Sequence, residues 1–264
     1  MSKISCLTGE ASMTCKLIQG VFWIAFSINV AAGESVDLPP QDVLSIVPAS
    51  ELPGGMPPEF QASRRKQLIT KDVDGVSHVG EDAALAEGIE NAVAAIERVR
   101  AHSRVTGVAR AIRDERLPGL VFDIDDIPLT MPAVSMTQGV LVGAKPAGTL
   151  IGERWTGLTR YLRLDDGALV ELTETDLASV QGRLYLVPEA INTEINGKPA
   201  VAAVLKNASG RSVRQVIWVN GPKSFELNVL EAAPPTSRDA ALKQAQDTKP
   251  PVNAIEMARS LKQP

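Results

Sequence analysis

LTRYLRLDDGALVEL, residues 158–172, decides the fold. Apolar and polar side chains alternate on either side of Asp165-Asp166-Gly167, which predicts strands at Arg160–Leu164 and Ala168–Leu172 joined by a hairpin turn. The pattern recurs downstream. A polar piece follows at Thr173–Gly182, where Thr173 and Asp176 offer caps for a helical turn, and then a strand at Arg183–Val187. Ile195-Asn196-Gly197-Lys198 turns into Ala200–Lys206, Asn207–Gly210 into Ser212–Val219, and Asn220-Gly221-Pro222 into Phe225–Val229. In the last run Phe225, Leu227 and Val229 alternate with Glu226 and Asn228, giving one buried and one wet face. Each run is too short to be stable alone, but about six sharing an apolar face are stable together. The reading is an antiparallel β meander over 158–231.

The section upstream, 79–157, reads as helical and mixed. Leu85, Ile89, Ala92, Ile96 and Val99 form one stripe at helical spacing, predicting an amphipathic helix over Asp82–His102. Glu81 and Asp82 suit its positive end, and Arg98, Arg100 and His102 its negative end. The stripe is too short for a coiled coil, so it should dock on the core. Helical spacing continues weakly through Val105, Val108, Ala109 and Ile112 until Pro118-Gly119.

Leu17–Val30, LIQGVFWIAFSINV, follows Lys16 and precedes Ala31-Ala32-Gly33, the succession of a secretory signal. Residues 1–32 are read as that signal, cut after Ala32 or Gly33, with Met1 or Met13 as the start. The run is shorter than the ~20 residues of a spanning helix and contains Gln19, Ser27 and Asn29, which disfavours an uncleaved anchor. Neither Cys6 nor Cys15 follows an apolar stretch, as lipidation would require. Residues 33–78 read as an extended linker, rich in proline and glycine over Glu34–Gln61, with one short element at Asp42–Val47. Residues 232–264 read as a mobile tail, with a short helix offered at Ala254–Leu261. The fold class is α+β, in a secreted or periplasmic protein.

The whole chain carries a net charge of −4; the removed piece holds Lys3, Lys16 and Glu10, so the mature charge is −5. That gives no support to nucleic-acid binding. Both cysteines leave with the signal, so the mature chain offers no disulfide, thiolate nucleophile or thiolate zinc site. Membrane contact is expected only through the signal, were it to stay uncleaved.

Asp123, Asp125 and Asp126 form the densest carboxylate cluster; on a strand Asp123 and Asp125 would share a face and could hold Mg²⁺ or Ca²⁺. Pro128 and Leu129 do not complete a calcium loop, and an acidic turn beside an apolar strand is the simpler account. His78 and His102 are the only near-neutral bases, and no Gly-x-Ser-x-Gly signal accompanies them. Gly139, Gly143, Gly148 and Gly152 around Lys145 match no phosphate-binding fingerprint and read as turns between short strands. Arg98, Arg100, Arg104, Arg110, Arg113 and Arg116 against Asp114 and Glu115 leave a local +4, suited to an anionic lipid head group, glycan or acidic protein surface. A solvated helix face with internal ion pairs is the plainer account. Tyr161 and Trp218 in their strands could make a recognition face, though aromatics at such positions more often fill a core.

The expected function is non-catalytic, binding or accessory within a cell-envelope assembly, with a protein or an anionic envelope component as partner and no cofactor. The candidate binding residues are Arg98, Arg104, Arg110, Arg113, Tyr161 and Trp218. The alternative is a carboxylate-dependent hydrolase built on Asp123–Asp126, with a divalent cation.

Overall fold

A computed structural model describes residues 6–9, 12–15, 25–28, 43–48, 51, 77–79, 83–106, 124–206, 211–231 and 253–262. Its centre is one large sheet. β6 (Val140–Ile151), β7 (Arg154–Arg163) and β8 (Leu169–Asp176) form one set of antiparallel hairpins; β10 (Thr193–Ile195), β11 (Lys198–Lys206), β12 (Ser212–Asn220) and β13 (Lys223–Leu230) form a second. The sets join where β13 runs antiparallel to β8, giving the order β10-β11-β12-β13-β8-β7-β6. β5 (Ser77–Val79) adds in parallel to β11.

The turn chemistry accounts for the hairpins. Asn196 and Gly197 both adopt positive φ, +50° and +75°, the backbone that a two-residue type I′ turn needs. Gly167 takes φ +85° between β7 and β8, and Asp166 Oδ1 accepts from the Ala168 N–H at 2.9 Å. The connection is nevertheless not a simple meander. β9 (Arg183–Leu186) leaves the large sheet and pairs in parallel with β4 (Leu44–Ile46), the short element expected at Asp42–Val47. β3 (Ala25–Ile28) lies on the other side of β9, followed by β2 (Ser12–Cys15) and β1 (Cys6–Gly9). The remainder of 1–32, and most of the expected linker, lie outside the described residues.

Each face of the large sheet has its own cover. α1 (Ala83–Thr106) covers the expected helix from Ala83 onward and packs Ala86, Ile89, Val93 and Ile96 on one face, against Ala203, Leu205, Val213, Leu230, Val142 and Tyr161. Farther along that face, Leu184 and Leu186 of β9 and Val43 pack on Val201, Ile217 and Val219. The opposite face carries the main core, with Leu162, Val170, Leu172, Val216, Trp218, Phe225 and Leu227. It is closed by α2 (Ala254–Arg259), whose Ala254, Met257 and Ala258 are buried. Asn253 caps α2, accepting from the Ile255 and Glu256 N–H groups at 3.0 and 3.4 Å. Residues 253–262 therefore dock on the core, where the sequence suggests a loose tail.

Candidate functional site

The expected site residues do not converge. Asp125 and Asp126 form an exposed 3-10 turn with Ile124, and Asp123 lies outside the described residues. No group of His, Cys, Asp and Glu arranged for a metal ion occurs among the described residues. Replacing Asp125 or Asp126 by Asn should change stability by no more than about 0.5 kcal/mol, measured by urea unfolding. A Ca²⁺- or Mg²⁺-dependent rise in Tm that is absent in Asp123→Asn would refute this. Arg98 is exposed on α1, Arg104 falls in the same helix, and Arg110 and Arg113 lie outside the described residues.

Tyr161 and Trp218 do not make a joint recognition face. Tyr161 is 1% exposed beneath α1, and Trp218 is 2% exposed on the opposite face, stacked on Phe225 with ring centroids 5.0 Å apart. Alternation along β7 and β12 sends the two rings to opposite sides of the sheet. Gly152 lies in the turn between β6 and β7 as expected, with φ +59°, but Gly143 and Gly148 fall inside the twelve-residue edge strand β6, which has register shifts between Leu141 and Gly143 and between Ala147 and Leu150. Edge strands tolerate such bulges, and a proline such as Pro146, better than central ones.

What the sheet gathers instead is a polar tract on the α1 face. Two transverse rows follow from the register: Tyr161, Glu171, Asn228 and Gln215 in one, and Lys145, Thr159, Thr173 and Glu226 in the next. The tract lies between the patch covered by α1 and the patch covered by β4 and β9. Glu226 Oε1 accepts from Gln215 Nε2 and from Asn228 Nδ2, each at 2.9 Å, and Gln215 Nε2 also donates to Asn228 Oδ1 at 3.0 Å. The Thr159 and Thr173 hydroxyls are 2.8 Å apart. Lys145 Nζ sits over the Tyr161 ring, 5.3 Å from its centroid.

Burial governs the charges here. It pushes the Glu171 carboxyl up to about 7, with Lys145 opposing the rise and Glu226 adding to it. It also raises Glu226, against the pull of the Asn228 and Gln215 amides. Tyr161 is held above its ordinary value by burial and by the Glu171 charge. Glu171 can thus keep or release a proton near neutrality, beside fixed amide and hydroxyl groups.

The other face holds a buried ionic clip. Glu174 is 0% exposed and accepts from the Val134 N–H through both carboxylate oxygens at 3.2 Å. Arg160 Nη2 lies 2.7 Å from Glu174 Oε1, and Arg160 Nη1 donates to the Val134 carbonyl at 2.6 Å. Lys223 Nζ lies 3.5 Å from Glu174 Oε2 and donates to the Pro132 carbonyl. Desolvation lowers the Arg160 guanidinium from its ordinary value, and Glu174 acts against that. Thr130 Oγ1 donates to Asp176 Oδ2 at 3.2 Å, and Arg154 Nε to the Leu129 carbonyl at 2.6 Å. The irregular segment 128–135 is thereby pinned across β7, β8 and β13, and Ser135 exchanges backbone hydrogen bonds with Lys262. Arg160 Nε and Nη2 make no hydrogen bond despite their burial, Nη2 meeting Glu174 as an ion pair; the remaining contacts tie the segment to the sheet, which marks a structural role. Arg160 gives the one legible sign of the clip: a charged residue between Leu158 and Leu162 on an otherwise apolar strand face.

Comparison with protein-family models, with curated proteins and with solved structures finds no match.

Proposed function

We propose that this chain is an exported, non-catalytic protein with a binding or accessory role in a cell-envelope assembly. The observation that carries this reading is the succession Lys16, Leu17–Val30 and Ala31-Ala32-Gly33, which suits export and processing. The partner suggested by the local excess of arginine is an acidic protein surface or another anionic envelope component, met through Arg98, Arg104, Arg110 and Arg113. A β-sheet covered on both faces supports the reading by giving such a surface a rigid platform. Mass spectrometry of the protein from its native host should find a mature N-terminus at Gly33 or Glu34. Intact residues 1–32 on a soluble cytoplasmic product would sink the export reading. Affinity capture from envelope extracts tests the binding role: exchanging Arg98 and Arg104 together for Ser should weaken capture and reduce its dependence on salt.

One observation favours the hydrolase reading, moved from Asp123–Asp126 to the polar tract. Glu171 and Glu226 are two carboxyls with raised pKa on neighbouring strands, and acid–base chemistry uses such groups. Turnover of an envelope polymer that is lost in a folded Glu171→Gln variant would favour it over the binding role.

A further inference from the structure

β9 has a strand on each side, and the expected cleavage after Ala32 or Gly33 falls between those two strands in the sequence. β4 runs parallel to it, with Leu44, Ser45 and Ile46 opposite Leu184, Tyr185 and Leu186. β3 runs antiparallel on the other side, with Ala25, Phe26 and Ser27 opposite Tyr185, Leu184 and Arg183. The Leu184 N–H donates to the Val43 carbonyl at 2.7 Å, and the Leu186 carbonyl accepts from the Val47 N–H at 3.0 Å. Successive residues of a strand turn their backbone groups to alternate sides, so those of Arg183 and Tyr185 face β3. Removal of residues 1–32 takes away all of β3 and leaves β4.

β9 itself is held by residues that stay. Leu184 and Leu186 are buried with Val43, Leu177, Val201, Ile217 and Val219, and the Gly182 N–H donates to the Leu177 carbonyl at 2.7 Å just before the strand. Cleavage therefore changes the edge of β9 and not its seat. An uncovered edge is a template for another strand unless something blunts it. β6, at the end of the large sheet, carries Pro146 and two register shifts. Arg183–Leu186 contains no proline or glycine and pairs with β3 and β4 without a shift.

We propose that the edge of β9 uncovered by signal removal is a docking site for an extended segment of a partner protein, added antiparallel in the place of β3. The proposal rests on the export reading and adds a second contact to the one offered by the arginines. Main-chain hydrogen bonds to Arg183 and Tyr185 supply the recognition, as in other cases of strand addition. The partner residue opposite Leu184 shares the face that packs on Ile217 and Val219, so it is apolar. The residues on either side of it lie on the outer face and tolerate polar side chains. Before processing, β3 fills the edge from within the same chain and keeps the site closed.

The test compares the protein isolated from its native host, its N-terminus read by mass spectrometry, with the unprocessed full chain. The probe is a fluorescent peptide of sequence 24–30 flanked by lysines, followed by anisotropy. The processed protein should bind it, and the full chain should bind at least about tenfold more weakly, since its own β3 competes at high effective concentration. N-methylation of the peptide at the positions of Ala25 and Ser27, which face β9, should weaken binding by at least about tenfold through two lost hydrogen bonds. N-methylation at Phe26 and Ile28, whose N–H groups point away from β9, should leave it within about twofold. Tyr185→Pro removes an N–H facing the peptide and spares the Leu184 bond to Val43, so it should also weaken binding; the N-methylated pair decides the matter if that variant folds poorly. A processed protein that refuses the peptide, even because a second copy or residues 33–42 already fill the edge, would overturn the proposal. Equal binding of the two N-methylated peptides, or equal binding by the full chain, would do the same. Host protein that keeps residues 1–32 would sink the export reading and this proposal together, and the mass spectrum tells that failure from the others.

Discussion

Glu174→Ala should lower the unfolding free energy by about 3–5 kcal/mol, the usual effect of removing one partner from a buried ion pair. The change leaves the Arg160 guanidinium, 4% exposed, and the Lys223 ammonium, 7% exposed, without their carboxylate, and it leaves the Val134 N–H without its acceptor. Against a typical total of about 5–15 kcal/mol, that is a large share of the stability. The loss is local in origin. Residues 128–135 depend on this carboxylate for their hold on the sheet, so α2, bridged to them through Ser135 and Lys262, should lose protection with them. Glu174→Gln keeps an acceptor for Val134 but removes the charge, and should fall between wild type and alanine. Urea unfolding gives the magnitudes. A loss in Glu174→Ala no larger than that in the exposed Asp126→Asn would show that the clip contributes little.

The strands were legible because their signals are local. Asp166-Gly167, Asn196-Gly197 and Asn220-Gly221 demand particular backbone conformations, and alternation between them assigns inward and outward faces without knowledge of the partner strand. What alternation lacks is the partner's identity. Arg183–Leu186 has a good strand pattern, but whether it continues a meander or joins Leu44–Ile46 is decided by long-range packing of Leu184 and Leu186 on Ile217 and Val219. β6 is obscured by Gly143, Pro146 and Gly148, which look like turns and in fact lie within a long edge strand whose register shifts twice. The docking of α2 rests on three buried side chains, Ala254, Met257 and Ala258, in a helix of six residues, too short for periodicity to stand out. The polar tract and the clip were hidden for a related reason. Glu171 and Glu226 lie 55 positions apart in sequence and Arg160 and Glu174 lie 14 apart, and only the register makes them neighbours.

Trp218 separates a core role from a recognition role more sharply than any other residue. Its ring is 2% exposed, stacks on Phe225 with an interplanar angle of 11°, and belongs to the cluster that α2 closes through Ala254, Met257 and Ala258. Trp218→Ala should therefore lower stability by about 3–5 kcal/mol, combining the lost burial with the cavity left behind. The urea midpoint should fall with little change in slope, since the native fold and the surface exposed on unfolding stay the same. Trp218→Phe keeps an aromatic stacked on Phe225 and should retain much of that stability. The same two variants then read function: under conditions where both are folded, capture from envelope extracts should match the wild type, because neither alters an exposed group. A Trp218→Ala protein that unfolds at the wild-type midpoint yet loses its partner would place the ring in an interface and remove it from the core.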